Sequence, residues 1–562
     1  MTTNNFFKKQ CISSFGIVIF IAFWEIMSTC VIPEKSTLPS PLSVFHALKE
    51  MWHSGELTED VIASLNRIFF GFSIAFFSAV FFGIIAARYA RIYDFVKMAM
   101  DLLSSIPPIA WTPVAILWFG IGNAPAYFIV FLGAFFPMFT GIYTGVTTVS
   151  SEMVNAAKTL GASRSHVVKA IVFPFALPQI LTGIRTGIGV AWFNVIAAEL
   201  IGVRSGLGYK IQLNRNLLFS EHVVGLMFVI GILGFLMTRL IGVIGNIATP
   251  WAIQDDTRPR WMKFQRQFVR VWHSCRIRLQ GANVSLGLIK HEYIPMEASQ
   301  SESKREPILA VNNLSKSFQG QASEEKLDVI KNVSFIVNPY EVFSILGPNG
   351  SGKTTIINII AGLLGPDGGS VEFMGNKVET PSHQRTVVFQ NFALFPWRTC
   401  SGNIMFALNA SKEGTTHQTY AERSKLTAHF LKEANLSEFA DTYPSDLSGG
   451  MKQRLALVRA LAVSPRLILM DEPFASFDPV VREKSQETIL DLLSNRSTTI
   501  LLVTHDLDEA IFMSDRILVL SKRPGRTKDI IEVDLPRPRL PEMRKSQPFH
   551  ELRTRLWELL RD

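Results

Sequence analysis

The run Gly347-Pro348-Asn349-Gly350-Ser351-Gly352-Lys353-Thr354-Thr355 has the residue types and spacing of a loop that cradles phosphates. Its glycines let backbone N–H groups point at phosphate oxygens, and a helix starting at its end adds a favourable dipole. Lys353 supplies a point charge for the β- and γ-phosphates, and the Thr354 hydroxyl is a ligand for Mg2+. Gly347, Asn349, Gly350, Ser351, Gly352, Lys353, Thr354 and Thr355 are therefore the candidate nucleotide-binding residues. A second string, Leu447-Ser448-Gly449-Gly450-Met451-Lys452-Gln453-Arg454, follows about a hundred residues later. A third, Leu467-Ile468-Leu469-Met470-Asp471-Glu472, is an apolar strand ending in two acids, of which Asp471 is placed to hold Mg2+ directly or through water.

These groups need positioning elements. Val342–Leu346 reads as a short buried strand and Thr354–Gly362 as a helix, so the phosphate loop sits between strand and helix. The chain has 562 residues, which implies more than one domain. Residues 12–247 are dominated by long apolar runs, whereas 308–562 have the mixed pattern of an α/β protein. The expected division is 1–250, a membrane domain; 251–307, a linker; and 308–562, a nucleotide-binding domain.

A spanning helix needs roughly 20 apolar residues. Ile12–Ile32, Ile68–Ala87, two spans within Leu102–Ser151 divided at Gly120-Ile121-Gly122-Asn123, Pro178–Leu200 and Val223–Ile247 give six expected spans, the first of them retained. Six spans put both termini on one side. Lys8, Lys9, Arg88, Arg91, Lys97, Lys158, Arg164 and Lys169 fall on that side, which the positive-inside rule makes cytoplasmic; Arg204, Lys210 and Arg215 fall opposite. Pro107, Pro108 and Pro113 must break the hydrogen-bond ladder of the third span, either lining a pathway or as a packing kink. Arg185 and Glu199 flank the apolar core of the fifth span, either near the pathway or as a structural pair.

The formal net charge is +9, and seven positive charges lie between Thr257 and Arg278, a stretch without an acid. The basic balance therefore reports one segment and not a nucleic-acid-binding surface. Trp261, Phe264, Phe268 and Trp272 recur there at helical spacing, as in a helix lying on a membrane surface and drawn to anionic lipid, or one packed on the nucleotide-binding domain. Cys11, Cys30, Cys275 and Cys400 are scattered without metal-ligand spacing.

Together the phosphate loop and the Leu447–Arg454 string resemble the ATP-binding cassette family over residues 308–545. The resemblance implies that Ser448, Gly449 and Gly450 complete the ATP site of a second cassette, so that the chain is half a transporter and works as a homodimer. It implies that Glu472 is the general base, that Gln390 senses the γ-phosphate and contacts the permease loop, and that His505 is the switch histidine. It also implies that Phe318 stacks on adenine and that Asp478 packs across the dimer. The metal set is then Thr354, Gln390 and Asp471, and the cofactors are ATP and Mg2+. Ala475-Ser476-Phe477-Asp478 departs from the usual Gly-Ala-Leu-Asp but keeps the acid.

Asn155-Ala156-Ala157 with Gly161 and Ile171-Val172-Phe173-Pro174 resembles the coupling motif of importers, with Asn155 where that motif has Glu. Arg67, Gly71-Phe72, the Pro107–Pro113 string, Ala198-Glu199 and Ser205–Gly208 resemble the nitrate/sulfonate/taurine permease group. Leu394-Phe395-Pro396-Trp397 and Arg523-Pro524-Gly525-Arg526 resemble its ATPases. The implied fold is a six-span type I importer-like helical domain followed by an α/β P-loop cassette. The implied function is ATP-driven import of a small solute such as nitrate, sulfonate or taurine across the cytoplasmic membrane, delivered by a separate extracytoplasmic binding protein. Alternatives are an exporter half-transporter and a non-transporting ATP-gated receptor. No regulatory domain is expected after residue 545.

Overall fold

A computed structural model describes residues 16, 18–31, 38–252, 306–319, 326–410, 419–475, 477–494 and 498–561. The basic segment read as a surface helix lies outside them. Contacts divide the chain into two units: Met1–Thr148 with Phe175–Pro250, and Val149–Pro174 with Trp251–Asp562. Residues 149–174, although flanked by apolar helices in sequence, belong with the carboxy-terminal unit.

The first unit is helical: α1 (Val18–Cys30), α2 (Pro41–His53), α3 (Glu56–Arg88), α4 (Ala90–Ser104), α5 (Thr112–Phe119), α6 (Asn123–Thr147), then α8 (Phe173–Gly202), α9 (Leu207–Asn216) and α10 (Ser220–Ala248); α7 (Ser151–Thr159) belongs to the other unit. Among the described residues, four helices are long and apolar enough to cross a membrane, or five if α4 and the segment Pro108–Phe119 count as one. The third span is broken where its prolines require it. Those two pieces meet at 87°, and Pro107 and Pro108 between them lack the N–H groups a continuing helix needs. The first expected span corresponds only to the shorter α1. Close packing of α6 on α8 depends on glycine: a Cβ on Gly141 would stand 2.9 Å from the Gly183 Cα.

Glu199 pairs with Arg67 of α3, not with Arg185, which corrects the second option for that pair. Arg67 Nη1 is 2.7 Å from Glu199 Oε1, both side chains being buried. Arg67 also donates to Asn123 Oδ1, the Ser205 carbonyl and Ser205 Oγ. Glu199 Oε2 accepts from Ser64 Oγ and the Gly208 N–H, so both charges are compensated by hydrogen bonds as burial requires.

The second unit contains two sheets. β1 (Leu309–Gln319), β2 (Lys326–Val337), β4 (Gly368–Phe373) and β5 (Asn376–Lys377) form an antiparallel sheet in the order β2-β1-β4-β5. β3 (Val342–Leu346), β6 (Arg385–Val388), β7 (Leu467–Asp471), β8 (Thr499–Thr504), β9 (Arg516–Leu520) and β10 (Thr527–Glu532) form the other, in the order β10-β9-β3-β8-β7-β6. β9, β3, β8, β7 and β6 run parallel, and β10 pairs antiparallel with β9. β3, β7 and β8 are buried throughout, which explains their unbroken apolar runs. Helices α11 (Lys353–Ile360), α12 (Cys400–Ala410), α13 (Tyr420–Glu433), α14 (Gly449–Leu461), α15 (Pro479–Ser494), α16 (Leu507–Met513) and α17 (Gln547–Arg561) pack around them. α17 extends the unit past residue 545, with Phe549 and Leu556 in the same core as Phe512. Cys400 lies in that core too, and burial pushes its thiol up to about 12, leaving it inert.

Candidate functional site

Four neighbouring parallel strands end at one edge, where α/β sheets bind ligands. The Gly347–Gly352 loop follows β3, His505 follows β8, Asp471 ends β7 with Glu472 next after it, and Gln390 lies two residues past β6. The register brings these ends level: Leu346 pairs with Thr504, Asp471 with Val503 and Val388 with Met470. Lys353, Thr354, Asp471, Glu472 and His505, read from separate strings, thereby meet in one site.

Thr354 Oγ1 donates to Asp471 Oδ1 at 3.2 Å. Lys353 Nζ is 3.5 Å from Glu472 Oε1 and donates to the Gly347 and Pro348 carbonyls at 2.9 and 3.2 Å. His505 Nδ1 is 3.2 Å from Glu472 Oε2. Glu472 adopts a left-handed backbone, φ 44°, while its N–H donates to the Val503 carbonyl. Such strain in a non-glycine residue gathers at functional sites. Burial lowers the Lys353 pKa below the ordinary lysine value, with Glu472 pulling the other way. Burial also pushes the Asp471 carboxyl up to about 6; the Thr354 bond opposes this and the Glu472 charge adds to it.

The loop fits a triphosphate and a hard cation. Gly350 and Gly352 take φ of 81° and 95°, and among the described residues the buried Ser351 hydroxyl has no hydrogen-bond partner. Arg523 Nε lies 3.4 Å from the Gly350 carbonyl. Gly525 packs so closely that a Cβ there would stand 2.1 Å from the Ser351 carbonyl oxygen. Phe318, on β1, is 41% exposed and carries the Lys316 ammonium 5.8 Å from its ring centroid.

The other expected residues lie apart. Ser448 caps α14, its hydroxyl accepting from the Met451 N–H at 3.4 Å. A Cβ on Gly449 would meet Phe477 at 2.8 Å, and Phe477 stacks on Phe392 with centroids 6.1 Å apart. The unusual phenylalanine beside Asp478 thus packs on the Ser448 loop. Asp478 itself is exposed, just ahead of α15.

Comparison with known proteins fits both halves. Residues 330–475 match the family model described as ABC transporter, and residues 79–253 match that of the binding-protein-dependent transport system inner membrane component. An uncharacterized ABC transporter ATP-binding protein of Methanocaldococcus jannaschii is 40% identical over 48% of this chain and 97% of its own length. The chain belongs to the ABC transporter family. A bicarbonate transport ATP-binding protein of Synechocystis is 35% identical over 43% of this transporter and 84% of that protein. The nitrate import ATP-binding protein of Synechococcus elongatus is 39% identical over 41% of this transporter and 35% of that protein. The transporter is therefore a permease-type helical domain followed by an α/β ATP-binding cassette.

Sequence reasoning expected the transporter's loop 149–174 to dock on its cassette beside Gln390 but missed the residues that make the contact. Asn155 leaves the importer motif without its acid, but Glu152, nearly one turn earlier, accepts from Asn391 Nδ2 at 3.2 Å. Asn391 directly follows Gln390. Ala157, Leu160, Val167, Ala170 and Ile171 are buried in one core with Phe395 and Phe406. Glu152 was findable as an acid on the amphipathic turn ahead of Asn155. Arg523 and Gly525 carried a signal only as part of the quoted Arg-Pro-Gly-Arg string.

Proposed function

We propose that this ABC transporter imports a small solute, in the class of nitrate, bicarbonate, sulfonate or taurine, across the cytoplasmic membrane at the expense of ATP. The observation that carries the reading is the match of residues 79–253 to an inner membrane component of binding-protein-dependent systems, fused here to the cassette. The substrate class follows the nitrate and bicarbonate relatives. A separate extracytoplasmic binding protein delivers the solute, and the cassette lies in the cytoplasm. The basic run between Thr257 and Arg278 attracts anionic lipid.

The chemistry follows from the residues. Thr354, Asp471 and Gln390 would hold Mg2+, which supplies charge neutralisation at the phosphates. The Gly347–Gly352 backbone and the Ser351 hydroxyl bind phosphate oxygens, and Phe318 stacks on adenine. Lys353 exchanges its carbonyl partners for the β- and γ-phosphates. Glu472 accepts the proton of the attacking water, with His505, 3.2 Å away, orienting its carboxylate. Ser448, Gly449, Gly450 and Asp478 serve the site of a second copy, so the working unit is a homodimer with two composite sites.

Uptake into proteoliposomes tests the reading. With the cognate binding protein outside and ATP inside, one of nitrate, bicarbonate or taurine should accumulate. ATP-dependent movement in the outward direction, or uptake indifferent to the binding protein, contradicts it.

A further inference from the structure

Pro174 carries no N–H, so it cannot donate to the carbonyl of Ala170, its partner four residues back in an α-helix. The chain ahead of it winds more widely: Val168–Val172 form a π turn in which the Phe173 N–H bonds to the Val168 carbonyl. Trp397 Nε1, on the segment between β6 and α12, donates to that Ala170 carbonyl at 3.0 Å. The indole is one end of an aromatic strip. Its ring centroid is 5.8 Å from that of Phe395, and Phe395 meets Phe406 edge to face at 4.7 Å. The far end receives the loop a second time: the His166 ring lies 5.3 Å from Phe406, and the Arg398 guanidinium stands 5.0 Å from the same ring. Val167, Ala170 and Ile171 fill the space between as buried apolar groups.

Apolar packing alone would hold a helix at many rotations and displacements. A single N–H aimed at one carbonyl fixes both, because a hydrogen bond decays steeply with angle and distance. The carbonyl is available because of a proline four residues later. We propose that Trp397 positions loop 149–174 on the cassette by bonding the carbonyl that Pro174 deprives of its helical donor, so that Trp397 and Pro174 work as a matched pair. Trp397 is not itself one of the nucleotide-binding residues of this scheme. It is a positioning residue for the coupling of ATP turnover to the helical domain, and to that extent it rests on the function proposed above.

The test uses the full chain in lipid nanodiscs and follows hydrogen exchange of the amides in residues 163–173, with Mg-ATP affinity measured alongside. Trp397→Phe keeps the ring stack and removes the N–H. It should speed exchange in that segment about five-fold, the effect of one net hydrogen bond on local opening, with nucleotide affinity unchanged. Pro174→Ala restores an N–H four residues after Ala170, the donor that an α-helical turn would aim at that carbonyl. In that background Trp397→Phe should change exchange by less than two-fold. Equal acceleration in both backgrounds would mean that Trp397 acts by packing alone and would overturn the pairing, as would no acceleration in the parent background. Lys353→Ala separates this from the functional reading: retained ATP hydrolysis in that variant refutes the assignment of the nucleotide site, whereas the exchange result bears only on the loop.

Discussion

Arg67 and Glu199, 132 residues apart in the chain, meet at 2.7 Å inside the helical unit, with Ser64, Asn123, Ser205 and Gly208 completing their hydrogen bonds. The pair ties α3 to the end of α8 and to the turn leading into α9. Removing one partner leaves the other charge buried without compensation, which costs about 3–5 kcal/mol. Arg67→Met should therefore lower thermal stability strongly in nanodiscs. Arg67→Met with Glu199→Gln should cost less than Arg67→Met alone, since no uncompensated charge is left. Strict additivity of the two changes would show that the charges do not act as a pair.

The candidate catalytic residues were legible because each sits in a short local string whose chemistry dictates its types. Gly347–Thr355 needs glycines for its left-handed turns, and Leu467–Glu472 needs apolar residues because β7 is buried throughout. The membrane segments were legible as apolar runs, since hydropathy is a sum over neighbours in sequence. Pairing across the fold was not. Nothing periodic in α8 distinguishes Arg67 from Arg185 as the partner of Glu199. The three prolines near Trp111 announced a break in the ladder, but the missing N–H groups fix only where the helix stops and not the 87° at which its two pieces meet. Likewise Gly525 reads as an ordinary turn residue until its distance to Ser351 is known.

Gly525 lies against the phosphate loop with no room for a side chain: a Cβ would stand 2.1 Å from the Ser351 carbonyl oxygen. Gly525→Ala should displace that loop and weaken Mg-ATP binding at least ten-fold in a fluorescent-nucleotide titration. Gly365→Ala, where a Cβ meets nothing within 4 Å, should leave affinity unchanged. Equal affinities for the two variants would contradict the close packing.

Glu509 is buried in α16, and its carboxyl is pushed up to about 8, first by burial and then by the nearby Asp506 charge. An unfolded glutamate titrates near about 4.3. Below that value both states hold the proton, and the stability linked to it is fully present. As pH rises toward and through about 8, the folded chain must give up a proton that the unfolded chain has already lost, so stability falls. Glu509→Gln removes this dependence. Its melting temperature should gain on that of the parent between pH 6.5 and pH 8.5, two conditions chosen to lie within and just above this window. A constant difference across those two conditions would rule out Glu509 as the titrating group.

The homodimer assignment can be tested by mixing. A Lys353→Ala homodimer and a Ser448→Arg homodimer each have two damaged sites. A mixed dimer joins intact Lys353 from one chain to intact Ser448 from the other and leaves one site whole. Trapping about one nucleotide per mixed dimer is the expected result if each composite site is shared between copies. Mixed dimers that trap no more than either parent would refute the shared sites.

The central claim is that Glu472 is the base of an ATP hydrolysis site built on Lys353, Thr354 and Asp471, and Glu472→Gln tests it most directly. The amide keeps the shape of the side chain and cannot take the proton of water. In the full chain reconstituted in lipid, Mg-ATP affinity should stay near that of the parent while steady-state hydrolysis falls by at least about a hundred-fold, the lower range for a general base. Hydrolysis within two-fold of the parent rate would contradict the account.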